Sequence, residues 1–213
     1  MNNYSKIYID LDDVLCETAL EFASLLENKY GRKVEFNQIT SFDLGISFRL
    51  TPSELEEFLL AAHEPQVLGI LKPVDGALEV VKLWHHKGYE IHIVTGRPTS
   101  TFEVSKQWLK LHDVPHTSLT FVDKYSRHNF NDTQIQPVPL TRLSEVGFCF
   151  AVEDSPAFAS YLARKLNVCV ALLDRPWNHL FIPEEDISAK IIRCRGWEDI
   201  IHNFDVFIST NGL

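Results

Sequence analysis

The sequence predicts an α/β fold: a doubly wound parallel sheet with a helical insert after its first strand. Three observations predict it. Short runs rich in Ile, Val, Phe and Tyr alternate with amphipathic stretches, as strands covered on both faces by helices do. One long stretch, from about residue 17 to 71, breaks that alternation and carries only helical periodicity. Acidic residues gather where the first and fourth of the apolar runs end, and ligands of open α/β sheets bind at the C-terminal ends of strands.

Residues 6–10 form the first predicted strand, which runs into Asp10, Asp12 and Asp13. In the insert, Ala19, Leu20, Phe22, Ala23, Leu26 and Tyr30 mark one apolar helix face. A second helix opens at Thr51-Pro52-Ser53-Glu54, a capping box with proline at the first helical position. Alternation resumes at Pro73. A helix over 76–87, closed by Gly88, leads to a strand over 89–95, a helix over 101–112 and a strand over 119–122. A loop-like stretch containing Asn129, Asn131, Pro137 and Pro139 follows. Strands over 148–152 and 168–172 flank a helix over 157–166, and a last helix covers 197–208. Residues 1–15 and 73–213 therefore make the core, and residues 16–72 an insert over the edge where ligands bind.

The chain has 213 residues, and its 20 Lys and Arg against 29 Asp and Glu give a net charge of −9. That balance, with no basic run, excludes a nucleic-acid partner held by phosphate neutralisation. No apolar run reaches the roughly 18 residues that a membrane helix needs. The N-terminal residues meet charges before a signal peptide could complete, and Cys16, Cys149, Cys169 and Cys194 are scattered without zinc spacing. Both observations predict a reduced, cytoplasmic protein. Excess acid also means that an anionic ligand needs a screening divalent cation.

Three aspartates within four positions at a strand end are costly, because like charges repel in a partly desolvated place. A turn would tolerate them without needing all three. Phosphoryl transfer through an aspartyl intermediate does need two: one carboxylate attacks phosphorus while another, two residues on, protonates the leaving oxygen.

The order of four motifs resembles the haloacid dehalogenase-like (HAD) hydrolases. These are Asp10-x-Asp12-x-Val14, the strand ending in Thr95, Lys124 after the third strand, and Glu153-Asp154 after the fourth. Within that superfamily the chain is similar to the 5′-nucleotidase group that includes the 5′(3′)-deoxyribonucleotidases. The segments that carry this likeness lie at 73–77, 94–98, 152–155, 173–178 and 195–197.

The resemblance implies a Rossmann-like core with a helical cap, and a Mg²⁺-dependent phosphomonoesterase. Asp10 is then the nucleophile and Asp12 the general acid and later base. Thr95, Gly96 and Lys124 bind phosphate, with Arg127 or Arg142 as substitutes for Lys124. Asp10, Asp12 (through its backbone carbonyl), Glu153 and Asp154 form the metal set, with Asp154 chosen as the direct ligand over Glu153. Asp13 is a solvated or capping acid. Arg97 is a candidate substrate contact, and Phe42, ahead of Phe48 and Trp177, a candidate for stacking on a base. The implied partner is a small phosphorylated metabolite: a nucleoside 5′-monophosphate or deoxynucleotide, or alternatively a sugar phosphate. A non-catalytic protein that holds Mg²⁺ and phosphate is the reading from another class.

Overall fold

A computed structural model of the chain describes residues 6–124 and 135–211. β1 (Lys6–Ile9), β2 (Glu90–Thr95), β3 (Ser118–Phe121), β4 (Phe150–Glu153), β5 (Cys169–Leu173) and β6 (Ile191–Cys194) form one parallel sheet. Its order is β3-β2-β1-β4-β5-β6. The connections carry α1 (Thr18–Tyr30), α2 (Leu44–Ser47), α3 (Pro52–Ala62), α4 (Pro65–Leu68), α5 (Ala77–His86), α6 (Phe102–Leu111), α7 (Pro156–Lys165) and α8 (Trp197–Asn211).

The apolar runs become strands because both of their faces are covered. Ile7, Tyr8 and Ile9 are all fully buried. Ile7, Ile9 and Phe150 pack with Trp84 of α5 and Trp197 and Phe204 of α8, while Tyr8, Ala151 and Val170 pack with Phe158 and Leu162 of α7. β1 lies between β2 and β4, so successive connections leave it toward opposite sides of the sheet. That reversal is the switch point where the loops part and a crevice opens.

β6 has no counterpart in the sequence reading. Its four residues include Arg193, which breaks the apolar run, and it becomes a strand only because the open edge of β5 offers it a ladder. Arg193 meanwhile donates to the Asn178 and Phe181 carbonyl oxygens.

Between β1 and α5 the chain forms α1 to α4. Ala19, Phe22, Ala23 and Leu26 of α1 are buried at helical spacing, whereas Leu20 is 40% exposed and lies off that face. Helix α3 starts on a reciprocal box: Thr51 N–H donates to Glu54 Oε2 at 2.8 Å, and Glu54 N–H to Thr51 Oγ1 at 3.3 Å. Phe58 holds the helices together by edge contacts with Phe22 and Phe48. The two ends of this stretch run side by side, with Glu17 N–H on the Lys72 carbonyl and Val74 N–H on the Leu15 carbonyl.

Candidate active site

Three neighbouring strands end at one edge, and each delivers a polar group there. β1 is followed by Asp10, whose N–H donates to the Val152 carbonyl at 3.0 Å. β4 ends in Glu153 with Asp154 next, and β2 ends in Thr95. All four residues are buried. One carboxylate oxygen each from Asp10, Glu153 and Asp154 lie within 4.8 Å of one another.

The Lys124 side chain is fully buried among these acids, with Nζ 2.9 Å from Asp10 Oδ1 and 2.5 Å from Glu153 Oε1. Glu153 is satisfied on both oxygens. Its Oε1 also accepts from Tyr8 OH at 3.1 Å, and its Oε2 accepts the Asp154 and Ser155 N–H groups at 2.9 Å each. One ammonium is therefore shared by two of the three carboxylates, and Asp154 has no cation in contact among the described residues. Burial first, and the Glu153 charge second, push Asp10 up to about 8 although Lys124 opposes them. Asp154 is held well above the usual carboxylate range by burial, then by Glu153 and Asp10. For Lys124, burial favours loss of the proton, but its two carboxylate partners more than offset that and keep it charged. Buried carboxylate oxygens short of positive charge are a donor set that fits a hard divalent cation such as Mg²⁺.

Asp12 has a cation to itself. Arg97 Nε donates to both of its oxygens at 3.0 Å, and Nη2 donates to Oδ1 at 2.6 Å. Thr18 Oγ1 adds a fourth bond at 2.5 Å. Burial alone would raise this carboxyl, but Arg97 and the hydrogen bonds bring it below the usual range. The guanidinium is itself fixed, with Nη1 donating to Ser105 Oγ at 3.0 Å. A sequence candidate for substrate contact is thus engaged by the candidate acid. Asp13 adopts φ 56° and turns the chain, and its Oδ1 accepts the Ala19 N–H at 2.9 Å, which caps α1. It is a capping acid. Burial also pushes its carboxyl up to about 7.

A cavity of about 90 Å³ opens above these groups. Asp10, Asp12, Asp154 and Gly96 form its floor, and Phe22, Ile39, Phe42, Leu68 and Trp177 form its walls. Phe42 is 37% exposed there, whereas Phe48 is 1% exposed within the helical core against Phe58 and cannot stack on a ligand. Arg142 pairs with Glu145 on the surface, away from the acids, and Arg127 lies outside the described residues. Thr95 Oγ1 accepts the Arg97 N–H at 3.1 Å, which leaves its hydroxyl proton to donate elsewhere.

Several site residues carried no assigned role in the sequence. Thr18 and Tyr8 look like ordinary helix and strand residues, and only the fold brings them to Asp12 and Glu153. Trp177, a stacking candidate from the sequence, and Asn178, which had no role there, fall within the singled-out segment 173–178. Trp177 Nε1 donates to Asp154 Oδ2, and Asn178 Nδ2 to the Asp154 carbonyl, both at 2.8 Å.

The pattern of the LNS2 domain of PITM 1-3 matches residues 60–147, under half of the chain. A Halalkalibacterium halodurans protein named "putative nucleotidase" is 23% identical over 96% of this chain and 95% of its own length. A solved structure of a "predicted phosphatase" from Clostridium acetobutylicum superposes with TM-score 0.61, covering 95% of this chain and 98% of that one at 15% identity. A Bacillus subtilis "putative HAD-hydrolase" solved with bound magnesium superposes with TM-score 0.58, covering 95% of this chain and 99% of that one at 12% identity. The fold is that of the haloacid dehalogenase-like hydrolases. Among the described residues, the acids of the candidate site lie at the sheet's C-terminal edge in this fold, and no helix is long and apolar enough to cross a membrane.

Proposed function

We propose that the chain is a Mg²⁺-dependent phosphomonoesterase that works through an aspartyl-phosphate on Asp10, with nucleoside 5′-monophosphates or deoxynucleotides as substrates. The observation that carries this reading is the convergence of Asp10, Glu153 and Asp154 within 4.8 Å of one another, with Asp10, Asp12 and Asp154 lining the same cavity. Asp10 shares one buried lysine with Glu153, while Asp12, two residues on, is held separately by Arg97. The core, residues 1–15 and 73–213, supplies the chemistry, and residues 16–72 act as the cap that encloses the substrate.

In this reading Asp12 takes up a proton as the negatively charged phosphate enters beside it, Asp10 Oδ attacks phosphorus as the P–O ester bond breaks, and Asp12 gives that proton to the leaving alkoxide. Asp12, now a base, takes a proton from water as that water attacks phosphorus, which releases phosphate and restores Asp10. Thr95 and the Gly96 turn position phosphate oxygens, and Lys124 offsets charge on Asp10. Asp10, Asp154 and the Asp12 carbonyl would hold Mg²⁺, with Glu153 behind them. When bound, the ion supplies the positive charge that the acidic floor lacks and that the phosphate requires. Positioning and electrostatic stabilisation account for most of the rate gain in such transfers.

The nucleotide rests on two supports: a cavity walled by Phe22, Phe42 and Trp177, which suits a flat ring, and the curated relative's name. Phosphate release from a panel of monophosphates, with Mg²⁺ and with EDTA, tests the proposal. Mg²⁺-dependent release from nucleotides is expected. Release from sugar phosphates alone would sink the nucleotide assignment, and no release from any ester would favour a binding protein.

A further inference from the structure

We infer that Trp177 is a positioning residue that fixes Asp154 for a divalent cation, and this rests on the metal-dependent reading proposed above. Segment 174–178 grips Asp154 at two points. The indole Nε1 of Trp177 donates to Oδ2, and Asn178 Nδ2 donates both to the Asp154 carbonyl and to the Leu173 carbonyl, each at 2.8 Å. Asn178 is anchored in turn: its Oδ1 accepts the Arg175 N–H at 3.1 Å and Arg193 Nη1 at 2.9 Å. Backbone and carboxylate of Asp154 are thus both fixed, and among the described residues Oδ1 accepts no hydrogen bond.

The donor's chemistry matters as much as its place. An indole N–H is neutral, so it orients the carboxylate without supplying a charge that competes with a metal ion. Each of the other two acids is held by a cation, Lys124, and Glu153 has no oxygen to spare. Asp154 is the member of the trio that is aligned yet not neutralised. The indole ring also meets Phe36 of the helical insert in an edge contact, at 5.8 Å between centroids, separate from its N–H bond to Asp154.

The test is a Mg²⁺ titration of the substrate-free protein, read as thermal stabilisation. Trp177→Phe keeps the ring and removes the N–H, and is expected to raise the apparent Kd for Mg²⁺ about 10-fold, as loss of an outer-shell partner does. Turnover should recover at saturating Mg²⁺. Phe36→Leu keeps the N–H and should stay within about twofold of wild type on that same outer-shell logic. Unchanged affinity in Trp177→Phe, or an equal loss in Phe36→Leu, overturns the inference while leaving the metal reading intact. A wild-type protein with no stabilisation by Mg²⁺ overturns both. Should Trp177→Phe fail to fold, the indole N–H resonance of wild-type Trp177 provides the readout. It should shift saturably with Mg²⁺ while that of Trp84, whose Nε1 has no hydrogen-bond acceptor among the described residues, stays put, and an unmoved Trp177 resonance overturns the inference.

Discussion

Asp10 and Asp12 sit two residues apart, and each faces a buried cation, Lys124 for one and Arg97 for the other. Their carboxyls nevertheless move in opposite directions. Asp10 rises to about 8 because burial and the neighbouring Glu153 outweigh a lysine that two acids share. Asp12 falls below its ordinary value because a whole guanidinium, in bidentate contact, is its own. The ratio of cations to acids, rather than the presence of a cation, sets the state of each group. The side left short of positive charge is the side where a metal ion fits.

Removing the acid on the deficient side breaks the comparison hardest. Asp10→Asn should lower phosphate release on the order of 10⁴-fold or more, as loss of a nucleophile does. It should also leave the metal-free protein no less stable, since one of the crowded charges is gone. Near-normal activity in this variant would refute the nucleophile assignment.

Lys124→Ala should come next. It leaves Asp10 and Glu153 buried without a counterion, a loss of about 3 kcal/mol or more in urea unfolding at pH 8. The loss should shrink at pH 5.5, where Asp10 can take up a proton instead. An equal loss at both values would mean that Lys124 acts by packing on Phe158, whose ring centroid lies 4.2 Å from Nζ.

On the balanced side, Arg97→Lys keeps the charge but loses the fork. Asp12 should rise toward its ordinary value, turnover should fall about 10-fold, and the limb of the pH–rate profile that reports Asp12 should move upward. A profile that superposes on wild type would separate Arg97 from the acid.

The smallest effect is on stability. Asp10 and Asp13, raised to about 8 and about 7, bind a proton more tightly folded than unfolded. Metal-free stability should therefore decline as pH rises from the ordinary carboxyl value of 3.8 toward 8. Asp12, shifted the other way, stabilises above its unfolded value and loses that contribution only below it. If Mg²⁺ is held by the ionised acids, as proposed, the Tm increment it gives should be larger at pH 8 than at pH 5.5, by about 3 °C. Equal increments at the two values would count against a metal held by these carboxylates.

Much of the fold was legible along the chain. Strands buried on both faces need continuous apolar runs, so β1, β2, β4 and β5 announce themselves, and the Thr51–Glu54 box marks the start of α3. β6 was not legible, because an edge strand with Arg193 at its third position takes its conformation from a neighbour's open ladder. The strand-end acids and Lys124 stood out because charge beside an apolar run is costly without a purpose. Thr18 and Tyr8 did not, because nothing local distinguishes a helix Thr or a strand Tyr that reaches a carboxylate, and Trp177 stood out only as a stacking candidate, not as a donor to Asp154.

What the sequence determined by itself, then, was the layered α/β architecture, the helical insert and the identity of the acids at the strand ends. Those follow from local periodicity and from the cost of clustered charge. Only the tertiary structure decided which cation each acid meets. Lys124 goes to Asp10 and Glu153, Arg97 to Asp12, and the neutral indole of Trp177 to Asp154. Electrostatic pairing weakens with distance and strengthens as water is removed from between the partners, and both distance and burial are properties of the folded chain alone.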